Sequence, residues 1–250
     1  MPIVSIITPT YNSSRFILIT YNSICKQSLG DWEWLVTDDA SSDNTSKILQ
    51  EISSQDNRVK LFQNKVNSGA AVSRNNSLAF ARGDFIAFLD SDDLWYPKKL
   101  EKQIDFMNIH GANFSFTEYE LIDELGHRLG LRVDNGVSGT FSYEDQLKKK
   151  SVMGCSTVML RANKFKNLSM PLLRTRQDYA FWLKLLKKGE KAYLLNDLLT
   201  QYRLSPNSIS RNKFKAALST WHVYRTIEGL SLPKAFNCFF SYALSALFRR

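Results

Sequence analysis

Phe85-Ile86-Ala87-Phe88-Leu89-Asp90-Ser91-Asp92-Asp93 is an apolar, strand-like run that ends in three aspartates. Trp32-Glu33-Trp34-Leu35-Val36-Thr37 ends in the same way, in Asp38-Asp39. Carboxylates crowded at the ends of buried strands repel one another and lose hydration, which is costly unless a cation or cationic ligand sits among them. In open α/β sheets the carboxyl edge of the strands is also where ligands bind. The two clusters therefore point to a metal and nucleotide site on a sheet with helices packed on it.

The surrounding sequence keeps that rhythm. Strands are expected at Val4–Thr8, Trp32–Asp38, Val59–Gln63 and Asp84–Leu89, separated by helices at Phe16–Gln27, Asn44–Ser54 and Ala70–Ala81. Ser42 or Asp43 can cap the second helix, whose apolar face is Ile48, Leu49 and Ile52. This alternation predicts a parallel, doubly wound sheet with right-handed crossovers. Pro97 opens a helix at Lys98–Asn108.

After residue 110 the pattern loosens. A strand is expected at Asn113–Leu121, an exposed loop or hairpin from Gly126 to Gly139, a short helix at Tyr143–Lys149 and a strand at Ser156–Leu160. Next come the amphipathic helix Tyr179–Lys188 and the strand Leu198–Arg203, which ends in the turn Ser205-Pro206-Asn207. Helices at Lys213–Glu228 and Lys234–Phe248 close the chain.

Composition narrows the class. With 44% hydrophobic and 23% charged residues the 250-residue chain reads as globular. A net charge of +9 favours an anionic partner: nucleic acid, an acidic membrane face or a phosphorylated substrate. Cys25, Cys155 and Cys238 form no CxxC pair, and His110, His127 and His222 show no ligand spacing, so neither a disulfide framework nor a zinc site is indicated. Met1-Pro2 leads straight into Ile3-Val4-Ser5, which reads as a first strand rather than a signal peptide. No apolar run reaches about 18 residues, so a cytoplasmic chain is expected.

Five segments in order carry a specific resemblance: Ser5-Ile6-Ile7-Thr8-Pro9-Thr10-Tyr11-Asn12; Val36-Thr37-Asp38-Asp39-Ala40-Ser41-Ser42-Asp43; Asn67 with Gly69; Ser73-Arg74-Asn75; and Phe88 to Asp93. Together, over about residues 3 to 205, they resemble the inverting family 2 glycosyltransferases of the GT-A, or nucleotide-diphospho-sugar transferase, fold. Gly154 to Met159 and Thr175-Arg176-Gln177-Asp178 are most similar to bacterial enzymes of teichuronic acid, capsule and O-antigen synthesis.

The resemblance implies an α/β fold with a mainly parallel twisted sheet. Residues 1–210 would form the transferase domain, with 1–100 binding the nucleotide-sugar and 101–210 the acceptor; residues 211–250 would form a helical extension. It implies a UDP-sugar donor and an undecaprenyl-diphosphate-linked saccharide acceptor, with no nucleic acid partner. Asp92, with Asp90, would hold Mn²⁺ or Mg²⁺ through hard oxygen ligands, and Asp90 and Ser91 would face the donor. Asp93 would support that site or cap the next helix. Asp38 or Asp39 would read uracil, while Thr8, Pro9 and Tyr11 wall the base and ribose. Arg74 would contact the nucleotide, with a surface arginine as its alternative.

Asp178 matches the family's catalytic base, and Asp is equally a favoured helix cap; Glu118, Glu120 and Asp123 are the fallback bases. Trp95, Tyr96 and Trp182 read as core residues before they read as sugar platforms. Gln201-Tyr202-Arg203 departs from the QxxRW signature of processive synthases, which implies single addition. The histidine that many relatives carry near Ser205 is missing, which leaves a protein-derived third metal ligand in doubt.

Two rival classes fit less well. A nucleotidyltransferase usually carries a Gly-rich basic loop after its first strand, unlike Pro9-Thr10-Tyr11-Asn12-Ser13-Ser14-Arg15. A non-catalytic sugar- or nucleotide-binding module leaves the acidic strand ends unexplained. The aromatic tail, Leu232 to Phe248 followed by Arg249-Arg250, suits either the membrane interface or docking on its own domain or in a homodimer. The expected location is peripheral to the inner face of the cell membrane.

Overall fold

β1 (Val4–Thr10) and β2 (Trp32–Asp38) are buried at every residue, the signature of strands covered on both faces. β1 pairs in parallel with β2 and with β4 (Phe85–Phe88), and β2 pairs in parallel with β3 (Val59–Gln63). The crossovers run through α1 (Ile17–Cys25), α2 (Thr45–Gln55) and α3 (Ala70–Leu78). Asp43, not Ser42, secures the start of α2, accepting the Thr45 N–H at 2.9 Å. The computed structural model describes residues 1–165, 167–204 and 213–248. The expected turn Ser205-Pro206-Asn207 and the terminal Arg249-Arg250 lie outside these residues.

The second half adds antiparallel pairs. β9 (Met159–Arg161) runs antiparallel to both β4 and β6 (Phe114–Ile122). β10 (Ala192–Arg203) is parallel to β6, and β5 (Leu94–Trp95) is antiparallel to β10. The order is β3-β2-β1-β4-β9-β6-β10-β5, a mixed sheet whose first four strands in this order are parallel as expected. Gly126 to Gly139 adopts the hairpin alternative: β7 (Arg128–Val133) folds back on β6, and β8 (Thr140–Phe141) follows to pair with β10. α4 (Lys99–Ile109) and α5 (Tyr143–Leu147) lie close to their expected places.

Two strand boundaries differ from the sequence reading. Ser156 sits in a 3₁₀ turn, Cys155–Thr157, rather than in a strand. Its hydroxyl accepts the Asp90 N–H at 3.0 Å and its carbonyl accepts the Trp95 indole N–H at 2.7 Å, so its polar groups serve the neighbouring loop. β10 begins at Ala192 rather than Leu198 because Asn196-Asp197 bulges out of register between Leu195 and Leu198. That polar pair interrupts the apolar pattern while the strand continues through it.

Two apolar clusters fill the two faces of the sheet. One joins Ile7, Leu35 and Phe88 to Phe181, Trp182 and Leu185 of α6 (Gln177–Leu186). The other joins Ile6, Trp34 and Leu89 to Ile17, Leu49, Leu100 and Met107. Trp95 and Trp182 are core residues, 4% and 0% exposed. A third cluster docks the C-terminal helices α7 (Lys213–His222) and α8 (Leu232–Phe248) on α6: Val223, Tyr224, Ala235 and Cys238 pack with Tyr179, Ala180 and Leu183.

Two buried positions are unusually constrained. At Gly83 a Cβ would lie 2.5 Å from the Ser5 nitrogen and 2.8 Å from the Val4 carbonyl carbon, both backbone atoms of the central sheet. Lys99 is fully buried, with its ammonium 3.9 Å above the Trp95 ring and no hydrogen-bond partner. Burial pushes its pKa well below the usual lysine value.

Candidate active site

The carboxyl ends of β1 and β4 and the starts of α3 and α6 line a cleft of about 940 Å³, whose wall includes neither Asp38 nor Asp39. β1 contributes Pro9 and Tyr11 to its wall. Thr8 is a correction. Strand alternation turns its side chain inward, where it is fully buried and accepts the Trp34 indole N–H at 2.8 Å. It braces the core beneath the cleft instead of lining it.

Asp38 and Asp39 sit at the end of β2, 1% and 3% exposed. Asp38 closes its own turn, accepting the Ser41 hydroxyl and, at 3.4 Å, the Ser41 N–H. Asp39 braces the loop before α3: it accepts the Ser68 and Gly69 N–H groups at 2.8 and 2.7 Å and the Asn64 amide at 2.6 Å. Gly69 takes φ +93°, a left-handed conformation that only glycine enters at low cost, and aims α3 at the cleft.

Arg74 on that helix is 3% exposed, so it is not a surface arginine. Its Nη2 pairs with Asp90, while Nε and Nη1 have no hydrogen-bond partner among the described residues. Burial alone would lower its pKa, but the charges of Asp90 and Asp178 more than offset this and keep the guanidinium protonated. Both aspartates are therefore electrostatic neighbours of one buried cation.

After β4 the four residues divide their work. Asp90, Ser91 and Asp92 line the cleft. The Ser91 hydroxyl shares a 2.8 Å hydrogen bond with Ser13. Burial, then the charge of Asp90, pushes the Asp92 carboxyl up to about 6. Asp93 turns away: it accepts the Ser156 hydroxyl and, at 2.8 Å, the Arg203 N–H, tying the end of β10 to the loop. It caps no helix, since α4 starts after Lys98 without a side-chain cap.

The pair Asp90 and Asp92 suits a hard divalent cation. Mg²⁺-type sites commonly use one or two carboxylates and complete the shell with substrate phosphates and water. Asp90 is already paired with Arg74, while burial and the Asp90 charge leave the Asp92 carboxyl elevated, so a cation beside it would be favoured. Among the described residues no group of three or more His, Cys, Asp or Glu side chains is placed to hold a metal ion.

Asp178 lines the same cleft from the first turn of α6. It is not the helix cap: that position belongs to Arg176, at φ 60°. The Asp178 carboxylate accepts the Tyr179 N–H at 2.8 Å and faces the cleft. The fallback bases are committed elsewhere. Glu120 accepts the Tyr96 hydroxyl and, at 2.8 Å, the Gln201 amide, and it pairs with Arg128 at 3.2 Å. Asp123 holds the Leu125 and His127 N–H groups of the β6–β7 turn, and burial raises the pKa of Glu118, which lies away from the cleft wall.

The sequence reading missed four basic residues on the cleft wall: Lys149, Arg174, Arg176 and Lys215. Lys149 belongs to a run of three lysines, and only the chain reversal at its φ of 55° singles it out for the interior. No periodic signal in the sequence marks it.

The pattern described as glycosyl transferase family 2 matches residues 5–168. A Bacillus subtilis chain bearing the provisional name teichuronic acid biosynthesis glycosyltransferase TuaG is 47% identical over 100% of this chain and 98% of its own length. The Escherichia coli UDP-Glc:alpha-D-GlcNAc-diphosphoundecaprenol beta-1,3-glucosyltransferase WfgD is 40% identical over 88% of this chain and 85% of its own. Among solved structures, S. aureus TarS 1-349 in complex with UDP-GlcNAc superposes with a TM-score of 0.75 at 22% identity, over 96% of this chain and 70% of that one. A mannosyltransferase from Pyrobaculum calidifontis in complex with GDP-Man and Mn²⁺ gives a TM-score of 0.70 at 18% identity, over 97% and 69%. These two likenesses carry the GT-A fold.

Proposed function

The chain belongs to glycosyl transferase family 2, and on that premise we propose that it is a metal-dependent, inverting UDP-sugar transferase. Its acceptor in this reading is a saccharide linked through a diphosphate to a polyprenyl lipid, and its pathway is bacterial surface polysaccharide synthesis. The names of the TuaG and WfgD relatives support the pathway and the acceptor. The observation that carries the chemistry is the meeting, in one cleft, of the Asp90–Asp92 pair and Asp178 with Arg74 as their common cationic neighbour.

In this mechanism the acceptor hydroxyl sits against Asp178, which takes its proton as the oxygen attacks the anomeric carbon. The bond from that carbon to the UDP oxygen breaks on the opposite face, and UDP leaves with the electron pair. One displacement inverts the anomeric centre without a covalent enzyme intermediate. Arg74 offers its unpartnered Nε and Nη1 to the departing nucleotide. Mn²⁺ or Mg²⁺ at Asp90 and Asp92 would neutralise the donor diphosphate. We assign the reading of uracil to Asp38 rather than Asp39, because Asp39 is held by three donors and Asp38 only by its own turn.

Membrane contact is part of this proposal. Ala235 and Cys238 seat α8 on the domain, while Leu232, Phe236, Phe240 and Leu244, each one turn from the next, face outward. Residues 211–250 hold seven basic side chains against one acid, Glu228, a net +6. A helix with an apolar face and basic surroundings suits the interface of an anionic bilayer. No described helix is long and apolar enough to cross a membrane.

The test is release of UDP from a panel of UDP-sugars with and without Mn²⁺. The proposal expects metal-dependent release from one donor, nearly abolished in Asp92→Ala. Equal turnover and equal UDP affinity with and without metal would refute the metal assignment.

A further inference from the structure

Asp178 stands in the first turn of α6, and the chain that leads into that turn has no regular structure of its own: residues 167–176 join no helix or strand. Side-chain hydrogen bonds fix this segment, and four of them come from α3 and the loop before it. α3 also carries Arg74, the cationic neighbour of both Asp90 and Asp178. We propose that Asn75 and Arg174 are positioning residues: they clamp the segment entering α6 onto α3 and so set where Asp178 stands relative to the donor. This rests on the reading of Asp178 as the base and assigns the residues that place it.

The clamp holds at two points. The Asn75 amide donates to the Met170 carbonyl at 3.0 Å, and its oxygen accepts the Met170 N–H at 2.7 Å. Met170 is 1% exposed and belongs to the apolar cluster that α6 shares with the sheet. A residue so buried needs partners for both backbone groups, and one asparagine side chain supplies them. Four residues on, Arg174 lies over the entrance to α3. Its Nη1 donates to the Asn67 side-chain oxygen at 3.0 Å and its Nη2 to the Asn67 carbonyl at 3.4 Å. A Cβ on Gly69 would stand 3.2 Å from that Nη1, so the guanidinium packs on the backbone that Asp39 braces. These contacts join residues 95 and 107 positions apart, so neither is a by-product of local chain geometry.

Release of the clamp would act locally. Beyond its first turn α6 is seated in the core by Phe181, Trp182 and Leu185. Thr175 and Arg176 are tied to the other side, to Ser219 of α7 at 3.0 Å and to the Tyr242 hydroxyl of α8 at 3.4 Å. The helix therefore stays in place, and the short span that carries Asp178 loses its reference to α3. A misplacement of about 1 Å can cost on the order of 10²-fold in rate. Asn75 is not among the residues that line the cleft, so its effect has to pass through the segment it holds.

The test is a double-mutant cycle in the full chain, read as UDP release from the UDP-sugar that turns over with Mn²⁺. Asn75→Ala should lower kcat by about tenfold or more, with the KM for UDP-sugar and the affinity for UDP within about twofold of the parent. In the Asp178→Asn background the same substitution should change the rate by less than about twofold, because no base remains to be placed. Where Asn75→Ala fails to fold, Arg174→Met, a change at an exposed side chain, repeats the cycle. Hydrogen exchange reads the clamp without turnover: the amides of residues 170–178 should exchange at least about threefold faster in the variant, with those of β1 and β4 unchanged. A parental kcat, a full loss that persists beside Asp178→Asn, a fall in UDP affinity that routes the effect through Arg74, or unchanged exchange at 170–178 would overturn the proposal. Failure of the base reading itself is seen separately, as an Asp178→Asn variant that keeps the parental rate.

Discussion

Asp178→Asn separates chemistry from architecture at one position. The substitution keeps side-chain shape and removes the proton acceptor. Loss of a general base costs about 10²–10⁴-fold in rate, so transfer should fall by that order. Donor affinity should hardly move, because the residues proposed to face the nucleotide, Pro9, Tyr11, Asp90 and Ser91, belong to other elements. Stability should also be nearly preserved. The cap position of α6 is Arg176, and the one hydrogen bond of Asp178, from the Tyr179 N–H, can be accepted equally by an asparagine oxygen. What is lost is a negative charge in the first helical turn, about 0.3–1 kcal/mol, or roughly 2–4 °C in unfolding midpoint per kcal/mol at this chain length. Single-turnover transfer rates, calorimetric UDP-sugar binding and thermal unfolding of the same preparation measure all three. A near-parental rate would refute the base assignment, and a parallel collapse of UDP-sugar affinity would show that Asp178 holds the donor instead.

Three further outcomes are expected. Lys99→Met should stabilise the protein near neutral pH by about 1–3 kcal/mol, because a buried amine without a hydrogen-bond partner among the described residues, which must lose its proton on folding, is replaced by an apolar chain of similar length. The folded pKa lies below the unfolded one, so the folded state binds fewer protons; parent stability rises with pH up to about 10.4, and the gain in denaturant unfolding should shrink toward that limit. A gain that stays flat from pH 7 to 10 would contradict this. Gly83→Ala should cost about 3 kcal/mol or more, since its Cβ would press on backbone atoms of β1 that cannot rotate aside, and thermal unfolding would register it. Phe236→Ser with Phe240→Ser should release the protein from anionic vesicles in a flotation assay; unchanged vesicle binding with an altered oligomeric state would assign that face to a second copy.

The first half of the chain was legible because β1, β2 and β4 are buried at every residue and β2 and β4 run into acidic clusters, which local pattern alone reveals. Asp90 and Asp92 could be marked as candidates because carboxylates crowded at buried strand ends are costly without a cation, and Asp178 because it matches the family's base, although Asp is equally a favoured helix cap. Thr8 was misassigned because its inward orientation depends on pairing with Trp34, 26 residues away. The early start of β10 was hidden by the Asn196-Asp197 bulge, which breaks the apolar run without ending the ladder. The four basic residues on the cleft wall were invisible for a different reason. They come from the end of α5, the loop before α6, the α6 cap and α7, and only the folded chain brings them to one cleft. Lys99, likewise, looked like one of many helical lysines until packing enclosed it.

The central claim is that a sugar moves from UDP to a lipid-diphosphate-linked saccharide in a single inverting step. The most direct measurement combines the parent protein, Mn²⁺, a panel of α-linked UDP-sugars and a synthetic saccharide-diphosphate-lipid, with mass spectrometry for the product and NMR for its new anomeric centre. The account predicts a gain of one sugar, one UDP released per transfer and a β-linkage from the α-linked donor. An acceptor left unextended by every donor, or a product that keeps the α configuration, would contradict it.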